Sequence, residues 1–216
     1  VLFRSEVVMT VAEGGGMFVV DRDTGKFIWA KPFPFDIPDF NISKVDTKTG
    51  QTHVNVDKLF KADGDSRVGC FHNTRGLWSI AYNPKNPSLY VPFQDQCVSM
   101  TANEKAKTGW GPRRGVMRPG IDPNKYMNLA KIDMSTGEMK ILHSQPQASA
   151  SSALVTAGDL VFFGDLNRRL RALDADSGMV LWETIVGGTI VNSTISYAVN
   201  GKQRSEEHTS ELQSRE

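Results

Sequence analysis

A short motif that occurs four times constrains the fold of this chain more than any other feature. It reads Asp, two variable residues, Thr or Ser, then Gly, and its copies are DRDTG at 21–25, DTKTG at 46–50, DMSTG at 133–137 and DADSG at 174–178. The Asp carboxylate can accept backbone N–H groups just beyond it, and the Gly supplies the positive φ that a tight hairpin turn needs. The motif therefore predicts an architecture of repeated β-hairpins.

Two copies carry more than the turn. Apolar residues flank the motif on both sides, and a Trp stands four residues past the Gly, at Trp29 and at Trp182. The flanks predict two antiparallel strands, and the Trp can dock against a neighbouring sheet, which would bury about 200 Å² and stabilise the fold by roughly 5 kcal/mol. The alternative is four unrelated Asp-Gly turns. The joint recurrence of strands and Trp favours a repeat.

Composition places the chain in the soluble all-β class. Lys and Arg number 25 against 24 Asp and Glu, a formal net charge of +1, so no nucleic-acid or anionic-membrane partner is indicated. No apolar run approaches the roughly 18 residues of a spanning helix. Both ends, 1–5 and 204–216, are similar to translated sequencing-library adapter. We therefore expect the native sequence to be 6–203, a piece of a longer protein.

The spacing of the apolar runs predicts how the repeats are arranged. Four runs within 154–184 predict one complete four-stranded propeller blade, and the motif that it contains follows the third copy by about 41 residues. The second copy follows the first by only about 25 residues, which predicts an extra hairpin in an inserted loop. The polar, Gly- and Pro-rich stretch 99–128 predicts a long surface loop.

These residues resemble a known family. The segment 155–203, the stretch GGGMFVVDRDTGK at 14–26 and the stretch 69–97 are similar to the quinoprotein alcohol dehydrogenases, whose Asp-x-x-Thr-Gly-x-x-x-Trp unit is a tryptophan-docking motif. The resemblance implies a partial eight-bladed β-propeller of about three to four blades, toward the C-terminal half of the ring. It also implies the cofactor pyrroloquinoline quinone (PQQ).

The resemblance implies cofactor contacts in the segment CFHNTRGLWSIAY, 70–82. Trp78 stands where many members have the Trp of a Gly-Gly-x-Asn-Trp pattern, but Leu77 replaces the Asn. Asn73 or Arg75 could supply the missing donor to a carbonyl or carboxylate. The alternative is that Trp78 is core and Arg75 a surface charge.

Other positions bear on the same site. Glu13 stands where many members have a cation, and Ala150 stands where they have a Trp under the quinone ring, which implies a rebuilt pocket or a lost quinone. Asp165 and Arg168 could line the central channel, with Asp165 in contact with the cofactor. A salt bridge within their hairpin is the alternative.

Cys70 and Cys97 match a family pattern in which such a pair can form a disulfide. A bond closing a loop of about 28 residues would contribute roughly 3.5 kcal/mol in the chain-entropy model, and a secreted setting would favour it. Two free buried thiols in a cytosolic protein are the alternative.

The resemblance implies a periplasmic enzyme that oxidises an alcohol by hydride transfer to PQQ, with calcium beside the quinone and electrons passing to a cytochrome or quinone acceptor. The family's catalytic Asp and calcium ligands have no match in this chain, so no catalytic or metal residue is assigned, and we expect the fragment alone to be inactive. The alternative function is a non-catalytic propeller of the same repeat superfamily that serves as a protein-binding scaffold.

Overall fold

The structure, a computed structural model, describes residues 6–12, 16–32, 42–70, 79–105, 110–191 and 193–207. These residues form β-strands and two 3₁₀ turns, Val56–Lys58 and Pro123–Lys125. The strands in chain order are β1 (Val7–Ala12), β2 (Gly16–Asp21), β3 (Phe27–Lys31), β4 (Ile42–Val45), β5 (Thr52–Val54), β6 (Ser66–Gly69), β7 (Ala81–Asn83), β8 (Ser88–Gln94), β9 (Gln96–Ala102), β10 (Trp110–Met117), β11 (Met127–Asp133), β12 (Met139–Gln145), β13 (Leu154–Val155), β14 (Leu160–Gly164), β15 (Arg169–Asp174), β16 (Val180–Ile185), β17 (Thr194–Val199) and β18 (Lys202–Glu207). The all-β prediction is confirmed.

The strands fall into two compact units, which are described separately. Unit 1 comprises 1–76 and 95–121, and unit 2 comprises 77–94 and 122–216. Unit 1 holds a sheet of order β1-β2-β3, a sheet of order β10-β9-β6 and the hairpin β4-β5. This hairpin surrounds the second motif, as predicted, and its turn residue Gly50 packs against the ring of Phe27.

The prediction of a surface loop over 99–128 is wrong. Strands β9 and β10 run through most of this stretch and pair antiparallel across a bulge between Trp110 and Arg113. Gly115, which reads as a strand breaker in the sequence, faces the side chain of Gln96, and a Cβ at this position would lie only 2.2 Å from its Nε2. The glycine therefore makes room for a cross-strand neighbour rather than ending the strand.

Unit 2 contains two antiparallel four-stranded sheets and one hairpin. The sheets have the orders β12-β11-β8-β7 and β13-β14-β15-β16, and the hairpin is β17-β18. The second sheet confirms the blade predicted over 154–184. Pro92 fits within β8 because β7 pairs only with Ser88, Leu89 and Tyr90, so the proline lies beyond the edge of that ladder.

The core of unit 2 joins the two sheets. Strand β8 is buried along its whole length, which explains its nearly unbroken apolar sequence. Large side chains from both sheets, including those of Tyr90, Leu129 and Phe163, lie in one fully buried cluster. Apolar burial between neighbouring sheets is therefore the main stabilising contact of this unit.

Candidate functional site

The four repeated motifs fold into the same turn. In each, Asp Oδ1 accepts the N–H three residues on, at 2.7–3.0 Å, and the Gly N–H donates back to the Asp carbonyl at 2.7–2.9 Å. The Gly residues have left-handed φ values of 69–76° and are Gly25, Gly50, Gly137 and Gly178. The copies are thus one structural unit, and the alternative of four unrelated turns does not hold.

The turn bonds lower the pKa of all four carboxyl groups. For Asp174 the largest cause is the backbone N–H of Ser177, followed by the Ser177 hydroxyl. For Asp133 the causes are the N–H groups of Thr136 and then Ser135. Each carboxylate therefore accepts hydrogen bonds within its own turn, which makes the Asp a structural residue rather than a general acid or base.

The fourth turn fastens the two sheets of unit 2 to each other. A Cβ on Gly178 would lie 1.9 Å from the carbonyl oxygen of Leu142 on β12, so the turn packs directly on the preceding sheet. Asp176 from the same turn accepts bonds from Lys131 and from Asn86 of that sheet. The turn end of unit 2 is therefore a packing surface between sheets.

An open cavity of about 510 Å³ also lies at this end, lined by Asn86, Ser88, Lys131, Asp133, Glu138, Met139, Lys140 and Asp176. Its cations serve internal contacts, because Lys131 pairs with the Asp176 carboxylate and Lys140 donates to the Asp176 carbonyl at 3.1 Å. The lining holds three carboxylates against two cations, a net negative charge that would repel an anionic cofactor.

The docking predicted for Trp182 is not made within the residues that the structure describes. Its side chain is 49% exposed, and the residues of β16 around it are exposed as well. β16 is the edge strand of its sheet, and the next sheet along the chain consists of only β17 and β18 in the described residues. Trp29 is partly buried on β3. It pairs with Val19 on the neighbouring strand, and Trp182 pairs with Ala172 in the same way. The cross-strand position of the Trp is the same in both repeats.

Asp165 belongs to a buried salt bridge. Its side chain is wholly inaccessible, and Oδ1 accepts the N–H groups of Asn167 and Arg169 at 2.8 and 3.1 Å. Oδ2 accepts from the Arg171 guanidinium at 2.8 Å, and Arg171 also pairs with Glu183 at 2.7 Å. This is the alternative of a salt bridge within the hairpin β14–β15, so the geometry disfavours the predicted cofactor contact of Asp165.

The guanidinium group of Arg168, by contrast, forms no salt bridge with the Asp165 carboxylate. Arg168 lies exposed on the same turn with φ 65°, a left-handed conformation that a glycine would adopt without strain. Its carbonyl accepts the N–H of Val186 at 2.8 Å, so the backbone of the turn is held by the following connection.

Cys70 and Cys97 are joined by a disulfide in unit 1. Both are almost wholly buried, at 2% and 0% exposure, beside the sheet β10-β9-β6. The bond ties the segment that follows β6 to the second residue of β9. The other predicted contacts, Asn73, Arg75 and Trp78, lie outside the described residues, as do Leu77 and Glu13.

Three serines that the sequence reasoning missed come together at the other end of unit 2. Ser79, Ser152 and Ser193 lie in separate segments, each one or two residues before β7, β13 or β17. The Ser152 hydroxyl is 3.1 Å from that of Ser193, which is 3.2 Å from that of Ser79. We call this group the serine triad. Its sequence signal is a Ser one or two residues before each of three successive first strands.

The segment around Ala150, where the family has a Trp, is polar and buried. Ser149 donates to the carbonyl of Gly164 at 2.6 Å, and Ser151 accepts the N–H of the same glycine at 3.3 Å. Ser152 also accepts the N–H of Ser79 at 2.8 Å. Small hydroxyl side chains thus line this end of the sheet.

No group of three or more His, Cys, Asp or Glu side chains within the described ranges is arranged to hold a metal ion. In that same part of the chain, no helix has the length and apolar character needed to cross a bilayer.

The antiparallel four-stranded sheets joined by a repeated turn define a segment of a β-propeller. Residues 122–204 match the PQQ family model, described as "Glucose/ethanol/alcohol dehydrogenase, beta-propeller domain". The chain is thus similar over most of its length to a part of the PQQ-dependent alcohol dehydrogenases, which confirms the resemblance seen in the sequence.

Individual relatives agree with this assignment. The chain is 27% identical to the dehydrogenase subunit of an alcohol dehydrogenase (quinone) from Gluconacetobacter polyoxogenes, over 91% of this chain and 28% of the relative. It is 31% identical to a dehydrogenase, XoxF, described as putative, from Paracoccus denitrificans, over 88% of this chain and 34% of the relative. The chain therefore spans about a third of the length of these proteins.

Solved structures show the same fold. A europium-containing methanol dehydrogenase superposes with a TM-score of 0.77 at 22% identity, covering 93% of this chain and 36% of that one. The quinohemoprotein alcohol dehydrogenase from Comamonas testosteroni gives 0.67 at 25% identity, covering 93% and 31%.

Proposed function

We propose that this chain is part of a PQQ-dependent dehydrogenase that oxidises an alcohol. The observation that carries the proposal is the pair of four-stranded sheets in unit 2, each with a copy of the same turn between its last two strands. Both turns, 133–137 and 174–178, lie within the span 122–204 that matches the PQQ propeller family. Because the chain spans about a third of its relatives, the activity belongs to the whole protein.

The described residues fit the cofactor in one respect. PQQ carries carboxylate and carbonyl oxygens, all of them hydrogen-bond acceptors, and when bound it supplies the two-electron acceptor for alcohol oxidation. Unit 2 offers hydrogen-bond donors, since the serine triad has three hydroxyl groups and the buried Thr194 hydroxyl has no partner within the described part of the chain. The part of this chain in catalysis is therefore to hold and orient the cofactor.

The metal, the electron acceptor and the compartment are part of the proposal. Relatives are named a lanthanide-dependent methanol dehydrogenase and a 1-butanol dehydrogenase (cytochrome c), which supports a calcium or lanthanide ion and a cytochrome acceptor. The Cys70–Cys97 disulfide supports an oxidising compartment such as the periplasm.

The test uses the full-length protein, expressed to the periplasm and purified without cofactor. We expect alcohol-dependent reduction of an artificial dye only after PQQ is added together with Ca²⁺ or La³⁺. Reactions without alcohol and without metal are the controls, and a panel of primary alcohols, secondary alcohols and glucose defines the substrate class. A protein that retains no PQQ and turns over none of these alcohols would instead support the scaffold function.

A further inference from the structure

Three hydroxyl groups from distant parts of the sequence converge on one point of unit 2. Ser79 and Ser193 are 114 residues apart in sequence, and Ser152 and Ser193 are 41 apart. The two hydroxyl oxygens of each pair nevertheless lie within 3.2 Å of each other. Each serine lies one or two residues before the first strand of its sheet. The starts of three successive first strands therefore meet here, as first strands do where propeller blades surround a common axis.

The serine triad has more donors than it can use internally. Three hydroxyls bring three O–H groups, but the two contacts that link them, Ser152 to Ser193 and Ser193 to Ser79, consume only two. The Ser152 oxygen already accepts the N–H of Ser79, so the Ser152 hydroxyl proton is available for the bond to Ser193. When Ser152 donates to Ser193 and Ser193 donates to Ser79, one O–H group remains. It belongs to Ser79, which is exposed, whereas Ser152 is buried.

A second donor at the same strand start needs an acceptor. Thr194, the residue after Ser193, is 5% exposed, and its hydroxyl has no hydrogen-bond partner among the residues that the structure describes. A buried hydroxyl without a partner is unfavourable by about 1–3 kcal/mol, so such groups are usually paired with a protein group, an ordered water or a bound ligand. Near Ser152 in sequence, the side chains of Ala148, Ala150 and Ala153 are small.

We propose that Ser79, Ser152 and Ser193 form a binding subsite for acceptor oxygens of the cofactor, with the carboxylate rim of PQQ as the group held. This inference rests on the proposed function and names residues that it leaves open. Hydroxyl groups donate hydrogen bonds to carboxylate oxygens, and a bond to an ionised acceptor is stronger than one between neutral groups. The triad takes the place of the predicted contact of Asp165, whose carboxylate is already saturated and would repel a carboxylate.

The experiment measures equilibrium binding of PQQ to the full-length protein in the presence of Ca²⁺ or La³⁺, by dialysis and quinone absorbance. We expect Ser193→Ala and Ser79→Ala to weaken PQQ binding about 10-fold to 100-fold, the loss of one charge-assisted hydrogen bond. Ser79→Thr keeps the hydroxyl at an exposed position and should bind within about twofold of the unmodified protein. Ser135→Ala, an exposed serine on a repeat turn at the other end of unit 2, is the matched control and should leave binding unchanged.

The melting temperature of each cofactor-free variant separates binding from packing. If the triad only clasps the three strands, the Ala variants will melt earlier while their PQQ affinity stays that of the unmodified protein, and the inference is overturned. If the unmodified protein binds PQQ and oxidises alcohols but all variants bind equally, this inference fails and the proposed function stands. An unmodified protein that binds no PQQ overturns both.

Discussion

At the scale of single residues, the aspartates of the repeat turns show how a local motif uses its charge. Asp174 accepts two backbone N–H groups and the Ser177 hydroxyl on one oxygen, and these bonds lower its pKa. Equivalent bonds lower the pKa of Asp21, Asp46 and Asp133. The folded protein therefore favours the ionised form at four separate turns.

We predict that the benefit of Asp174 depends on pH. Because its pKa is lower in the folded than in the unfolded chain, its contribution is complete above the ordinary value of 3.8 and is lost as the pH falls through the lowered value. The melting temperature of the full-length Asp174→Asn variant should lie below that of the unmodified protein at pH 7, and the gap should narrow toward pH 3. A gap that is constant with pH would contradict this. Asp23→Asn, in which no turn N–H is lost, is the control.

At the scale of elements, the same turn performs two tasks that can be separated. Gly25 and Gly178 both have left-handed φ values, 69° and 76°. Nothing lies within 4 Å of a Cβ placed on Gly25, whereas one on Gly178 would meet the Leu142 carbonyl at 1.9 Å. The first glycine is required by backbone conformation alone, and the second also by the close approach of the preceding sheet.

We predict different losses for the two alanine variants. Gly25→Ala should lower the free energy of unfolding by about 1–2 kcal/mol, the strain of a left-handed alanine. Gly178→Ala should lower it by roughly 3–5 kcal/mol, because overpacking against β12 adds to the same strain. Denaturant unfolding of the two full-length variants measures the difference, and equal losses would show that the turn does not pack on β12.

The disulfide links two elements of unit 1. We predict that Cys70→Ser combined with Cys97→Ser lowers the free energy of unfolding by roughly 3.5 kcal/mol, the loop-closure contribution of the crosslink. Because both sulfurs are buried, reduction of the native protein should require partial unfolding, which alkylation followed by mass measurement with and without denaturant will detect. Rapid reduction without denaturant would contradict the burial.

At the scale of the whole molecule, strand β16 and the residue before it expose a row of large apolar side chains to solvent. Met179, Val180, Leu181, Trp182 and Ile185 are each between 42% and 61% exposed. The corresponding strand of the preceding sheet, β12, instead contacts the fourth turn at Leu142, which is 7% exposed. Apolar residues in such a row are stabilising only when another sheet covers them.

We predict that the cost of Trp182→Ala depends on the rest of the propeller. In the full-length protein the variant should lose roughly 3–5 kcal/mol, the usual result for a large aromatic removed from a packed site. In this chain alone it should lose about 1 kcal/mol or less, because half of the ring is already in water. Similar losses in both contexts would mean that no following blade covers β16.

The sequence by itself determined the hairpins and the turns. Asp133 and Asp174 fix their turns through bonds to residues within five positions, so the motif alone specifies the geometry. The same local logic fixed β13 to β16, whose strands follow one another with short connections. It failed at β9 and β10, where Gly115 reads as a breaker but accommodates Gln96 on the paired strand.

Only the tertiary structure decided which side chains meet. Asp165 pairs with Arg171 rather than with the adjacent Arg168, because alternate residues of β15 face the same side and Arg168 lies in the turn. The serine triad joins Ser79 to Ser193 across 114 residues, and no local pattern encodes that distance. Hydrogen bonds within a turn depend on a few neighbouring dihedral angles, whereas contacts between blades depend on how whole sheets pack, so the first can be read from the sequence and the second only from the fold.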